Sequence, residues 1–219
     1  MSEVSQKYPV RAFVFDLDGT LVDSKRDIVE SVNAMLSETG RGPLPFEQVA
    51  GFIGHGAPAL IARVLGPDVD PAVQRECLSR FLTHYQEHKL RTTRPYPGVL
   101  EGLRALRAHS LAVLSNKPQR LSEEILAGLG LAGYFERVYG GDSFETRKPD
   151  PAGTRTLLKE LGVLPSESAL VGDSDVDIQT ARNSGLLAVM VRYGFGPHDR
   201  ESFPADLYID RLEELLVLT

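Results

Sequence analysis

Six short apolar runs, spaced along most of the chain and separated by helical patterns, constrain the fold more than any other feature. They are Arg11 to Asp16, "LAVLSN" from Leu111, "RVYGGD" from Arg137, "ALVGDSD" from Ala169, "LLAVMVR" from Leu186 and "LYID" from Leu207. Runs without a polar face suit parallel strands covered on both sides. Helical repeats such as "VLEGLRALRAHS", "QRLSEEILAGLG" and "PAGTRTLLKELG" stand between them. Strands alternating with helices predict a right-handed, doubly wound α/β sheet. The segment from about Ser24 to Arg94 breaks the alternation. It carries helical runs, including "DIVESVNAMLSETG", "GAPALIARVLG" and "PAVQRECLSRFLTHYQEHKL", and closes at "RPYPG", a hinge signal. A helical insertion thus interrupts the sheet after its first strand. The boundaries expected are 1–22 and 95–219 for the core and 23–94 for the inserted helical unit.

The first strand runs straight into two carboxylates, Asp16 and Asp18, and turns on Gly19. Period-two spacing puts both acids on one side of an extended chain. Two anions at contact distance in a partly buried site repel by about 4 kcal/mol. A cation would offset that cost. A second acidic cluster, Asp173, Asp175 and Asp177 in "VGDSDVD", falls where a strand ends and a helix begins, with Ser174 or Asp175 as helix cap. Capping accounts for one of these carboxylates, not three. Asp16 and Asp173 from adjacent strand ends would suit a hard divalent ion such as Mg²⁺, which prefers oxygen ligands. Ser115 ends another strand, and Lys148 in "TRKPD" lies in a loop after a fourth. In open α/β sheets ligands bind beyond the carboxyl ends of the strands, so these four segments are expected to converge on one crevice.

Bulk properties exclude several roles. A net charge of −6 with no basic run argues against a nucleic-acid partner and against an anionic membrane surface. The N-terminal "MSEVSQKYPV" lacks the apolar core of a signal peptide, and no apolar run is long enough to span a bilayer. One cysteine, Cys77, allows no intramolecular disulfide and reads as an inert thiol in a helix. The expected location is cytoplasmic.

Taken in order, "DLDGT", "LSN", "KPD" and "GDSDVD" resemble the four motifs of the haloacid dehalogenase superfamily, over Arg11 to about Asp210. "FDLDGTLVDS", "SNKP" and the inserted "GFIGHGAPALIARVLG" are similar to its phosphoglycolate phosphatase-like branch. The resemblance implies a Rossmann-like catalytic core and an all-helical cap. It implies a phosphatase for a small phosphorylated metabolite, with Mg²⁺ held by Asp16, the Asp18 carbonyl and Asp173. Asp16 is then the nucleophile and Asp18 the general acid and base. Asp18 needs a proton for the first step, and neighbouring anions would help it keep one. Ser115, Asn116 and Lys148 would bind the phosphoryl group. Asp177 would support Lys148 or a metal-bound water, and Asp175 stays outside the ligand set. In the cap, His55 between Gly54 and Gly56 is the candidate for substrate specificity, while Arg63 reads as a surface charge. Inorganic pyrophosphatase and sugar-phosphate phosphatase or mutase activities are the alternatives. A dehalogenase needs neither Asp18 nor a metal, a phosphonate hydrolase needs a central cap lysine, and a non-catalytic binding module would not retain the full motif set. A homodimer is compatible with the sequence but not specified by it.

Overall fold

The computed structural model describes residues 9–195 and 202–219. Six strands form one parallel sheet in the order β5-β4-β1-β6-β7-β8. These are β1 (Ala12–Phe15), β4 (Ser110–Leu114), β5 (Arg137–Tyr139), β6 (Ser168–Gly172), β7 (Leu187–Val191) and β8 (Leu207–Ile209). All six correspond to the apolar runs of the sequence. The chain winds outward from β1 through β4 to β5, then returns to the other side of β1 and winds through β6, β7 and β8. The order therefore reverses between β1 and β6, which pair directly with Phe15 opposite Val171.

Alternation along the strands explains why the runs are nearly continuous in apolar residues. Phe13 and Phe15 join Leu111, Val113, Ala169, Val171, Val189 and Val191 in the core on one face. Val14 joins Ala112, Leu114, Leu170, Ala188 and Met190 on the other. The first face is covered by α5 (Val99–Ala105), α6 (Gln119–Gly128) and a C-terminal 3-10 turn, Leu212–Leu218. The second is covered by α7 (Ala152–Leu161) and α8 (Asp175–Ser184). Each buried Val, Leu or Phe side chain stabilises such a core by about 1.5–3 kcal/mol relative to exposure.

Between β1 and α5 lie four helices: α1 (Lys25–Glu38), α2 (Phe46–Ala50), α3 (Ala57–Leu65) and α4 (Pro71–His88). The inward stripe of α1 is Ile28, Val29, Val32, Met35 and Leu36, the spacing of one helical face. Helix α4 starts on Asp70, whose side chain accepts a 2.7 Å hydrogen bond from the Ala72 amide, with Pro71 in the first turn. Cys77 is buried in α4.

The two chain crossings into and out of this helical unit are tied together. Val22–Asp23 (β2) pairs antiparallel with Arg94–Pro95 (β3), two short strands the sequence pattern does not reveal. Beside them, the buried Asp27 carboxylate accepts from the amides and hydroxyls of Thr92 and Thr93 at 2.6–3.0 Å. No helix among the described residues is long and apolar enough to cross a membrane.

Candidate active site

Asp16 is the first residue beyond β1 and Asp173 the first beyond β6, so both stand at the carboxyl edge where the strand order reverses. The Asp16 amide still donates to the Val171 carbonyl at 2.9 Å, which continues the ladder by one residue and fixes where the side chain emerges. Next comes Gly19, at φ +88°. A Cβ there would collide with the Asp173 carboxylate, so only glycine lets the turn pass this close. Thr20, in the same turn, donates to Asp173 Oδ1 at 3.3 Å, and the Phe195 amide donates to Oδ2 at 2.8 Å.

Lys148 unites the acidic groups. Its buried ammonium donates to Asp16 Oδ1 at 2.8 Å and to Asp177 Oδ1 at 2.7 Å. Asp177 sits in the first turn of α8. Its other oxygen accepts from the Asp173 and Ser174 amides and from the Ser174 hydroxyl, closing a capping box with Ser174 as the cap. Both Asp177 oxygens are therefore engaged by donors, whereas no donor among the described residues reaches Asp16 Oδ2. Among the described residues Asp175 bonds only the Val176 amide.

Ser115 follows β4 directly and is buried. Its amide is held by the Tyr139 carbonyl at 3.0 Å and its hydroxyl faces the Lys117 amide at 3.3 Å. The Asn116 side-chain amide donates to the carbonyls of Gly54 and Lys148, both at 3.1 Å. It thereby joins the α2–α3 loop to two loops of the sheet. Gly56 lies so near that a Cβ there would stand 2.9 Å from the Asn116 carbonyl, and its φ of +85° also requires glycine.

The electrostatics are unbalanced. Burial, opposed by Lys148 and reinforced by Asp177 and Asp18, pushes the Asp16 carboxyl up to about 6. Burial, with Asp177 and Asp16 beside it, holds Asp173 well above the ordinary carboxylate range. Burial alone would weaken the charge on Lys148, but Asp16 and Asp177 more than offset it and keep the ammonium protonated. Ligand oxygens of Asp16, Asp173 and Asp177 all lie within 4.8 Å of one another. One lysine does not neutralise three carboxylates, and an all-oxygen donor set of this kind fits a hard divalent cation.

Asp18 is paired with a cation the sequence analysis does not name: Lys117 Nζ donates to both carboxylate oxygens at 2.9 and 2.8 Å, and Ser24 donates at 2.5 Å. The Lys117 ammonium also lies 4.4 Å from the centre of the Tyr85 ring of α4. Burial works against its charge, but Asp18 outweighs that and raises its proton affinity. Lys117 was the main residue that sequence reasoning missed. Its signal was present in "SNKP", two residues after Ser115, but nothing local announces a partner in the first motif.

A cavity of about 510 Å³ opens above these groups. Asp16, Asp18, Ser115, Asn116, Lys117 and Asp173 form its sheet-side wall, and His55 and Arg63 belong to the helical side. Arg63, expected to be only a surface charge, lines this cavity. Lys148 and Asp177 lie behind the wall, reaching it through Asp16.

Residues 13–191 match the family model described as Haloacid dehalogenase-like hydrolase. The chain belongs to that family. It is 43% identical over 218 residues to "Phosphoglycolate phosphatase, plasmid" of Cupriavidus necator, covering 96% of this chain and 93% of that one. It is 39% identical to a phosphoglycolate phosphatase of Pseudomonas putida, over 99% of this chain and 83% of the other. A crystal structure from Haemophilus somnus, described as a predicted phosphoglycolate phosphatase, superposes with a TM-score of 0.88 at 30% identity. The match covers 95% of this chain and 97% of that one. This haloacid dehalogenase-like hydrolase thus has the Rossmann-like parallel sheet that its motifs imply, with the motif residues gathered at one sheet edge.

Proposed function

We propose that this hydrolase is a Mg²⁺-dependent phosphatase that cleaves a small phosphate monoester through an aspartyl-phosphate, with 2-phosphoglycolate as its substrate. The reading rests above all on Asp16: a buried carboxylate at the strand-order reversal, held through one oxygen by Lys148, with its other oxygen unpaired among the described residues and set on a cavity wall. The names of its relatives supply the substrate.

Asp16 Oδ2 attacks phosphorus and forms a new O–P bond as the ester O–P bond breaks. Asp18 gives its proton to the departing alkoxide, then takes one from the water that attacks the acyl phosphate and releases inorganic phosphate and free Asp16. Lys117 faces Asp18 in the present arrangement, so proton delivery requires that contact to open as substrate enters. Ser115 stabilises the phosphoryl oxygens as charge shifts during transfer, and Lys148, behind the wall, aims Asp16 and supplies positive charge next to the oxygen that attacks. Asp177 positions Lys148. Asp16, the Asp18 carbonyl and Asp173 would hold Mg²⁺, which when bound screens the carboxylate–phosphate repulsion. The helical cap, docked through Asn116, keeps bulk water from the acyl phosphate.

The test is a panel of phosphate esters with Mg²⁺ present, including pyrophosphate, sugar phosphates and nucleotides. Phosphoglycolate should lead in kcat/KM by at least about tenfold, and EDTA should silence the activity until Mg²⁺ is restored. A lead for pyrophosphate or a sugar phosphate would reassign the substrate. Indifference to EDTA would remove the metal.

A further inference from the structure

The cations around the cavity differ in how they are committed. Lys117 is spent on both oxygens of Asp18. Lys148 is spent on Asp16 and Asp177. Lys25 donates at 2.9 Å to the carbonyl of Phe195, a residue that lines the cavity, and stands over its ring. Arg63, in the last turn of α3, lines the same cavity and has no carboxylate partner among the described residues. His55 is an electrostatic neighbour, and burial together with the Arg63 charge keeps that imidazole below its ordinary protonation range. Arg63 is therefore a guanidinium with no counter-ion among the described residues, held on the wall opposite the phosphoryl-transfer groups. The helical side that carries it is seated on the sheet side by the Asn116 contact to Gly54 and the close passage of Gly56.

Two acids also line the cavity, Glu47 on α2 and Asp175 on α8. Neither pairs with Arg63. They disfavour an anion elsewhere on the wall, and among the described residues lining the cavity Arg63 is the cation outside the motif cluster. Guanidinium presents parallel N–H groups that fit both oxygens of a carboxylate.

We propose that Arg63 is the specificity residue that binds the carboxylate of a phosphorylated hydroxy acid whose phosphoryl group sits at Asp16, with His55 beside it as a further hydrogen-bond partner. This rests on the phosphatase reading above and narrows it to esters carrying an acid at the far end. Phosphoryl transfer uses the sheet-side loops, and recognition of the remainder falls to α3.

The experiment compares wild type, Arg63→Met and Arg63→Lys on two esters of equal length, 2-phosphoglycolate and 2-hydroxyethyl phosphate, with Mg²⁺ present. The readout is the ratio of kcat/KM for the acid over the alcohol. In Arg63→Met this ratio should fall by at least about tenfold, chiefly through KM for phosphoglycolate. Arg63→Lys should keep an intermediate preference, since it retains charge but loses the fork. Arg63 is exposed and makes no ion pair among the described residues, so thermal melts should register all three as folded. If Arg63→Met lowers both esters by the same factor, or leaves the ratio as in wild type, the proposal is overturned while the phosphatase reading stands. A wild type that cleaves neither ester would remove the phosphatase reading, and this proposal with it.

Discussion

Asp16 and Asp173 are the residues in which the cost of the site is concentrated. Both acids are buried, and both hold protons more tightly than a free carboxylate. The consequence has a definite sign. With a folded-state pKa of about 6 against an ordinary 3.8, Asp16 is protonated in the folded chain and ionised in the unfolded chain between those values. Stability of the metal-free protein should therefore fall as pH rises from about 4 to about 6. A divalent cation binds the ionised form, so its benefit should be larger above that window. At a Mg²⁺ concentration near one hundred times Kd we expect Tm to rise by roughly 5–10 °C at pH 7.5 and by clearly less at pH 5. Equal shifts at both pH values, read by calorimetry, would contradict the carboxylate cluster as the cation's site. At this scale the acidic pairs were legible because period-two spacing after a strand aims both carboxylates one way. Lys117 was not, because its ion pair joins residues 99 positions apart and no local pattern encodes such a meeting.

At the scale of elements, two of the fastenings of the helical unit answer different needs. Near the hinge, Asp27 of α1 gathers the hydroxyls and amides of Thr92 and Thr93, linking the outgoing and returning chain. Burial of that carboxylate is unfavourable, but its donors outweigh burial and hold its pKa below the usual range. The stability it contributes is present above the unfolded value near 4 and is lost as pH falls through the lowered folded value. Asp27→Asn should cost about 2 kcal/mol in urea unfolding at pH 7, and the difference from wild type should shrink as pH is lowered toward 3. A variant as stable as wild type at pH 7 would show that the four donors are satisfied equally well without the charge. Asn116 provides the second fastening, at the cavity. Helices and strands were legible from periodicity, and α1 shows why: its inward stripe repeats with the helix. The two-residue strands β2 and β3 were not, because two residues carry no period. What makes them pair is the proximity of the two crossings, which follows from the folded sheet.

Across the whole molecule, the six parallel strands could be read because both faces of the sheet are covered and nearly every inner-strand position is apolar. The C-terminal 3-10 turn was not read, since Leu212 and Leu215 resemble any short apolar run until α5 supplies the surface they cover. Convergence of four distant loops also belongs to this scale: it follows from strand order, which puts the ends of β1 and β6 side by side. The measurement that tests the whole account is phosphoryl trapping. In Asp18→Asn the second step loses its base, so mixing this variant with Mg²⁺ and p-nitrophenyl phosphate, a good leaving group, and quenching in acid should leave the phosphoryl group on the enzyme. Peptide mass mapping should find the added phosphoryl mass on Asp16, and Asp16→Asn should be unlabelled and inactive. Turnover that persists in Asp16→Asn, or a phosphoryl group found on any other residue, would contradict the assignment of Asp16 as the nucleophile.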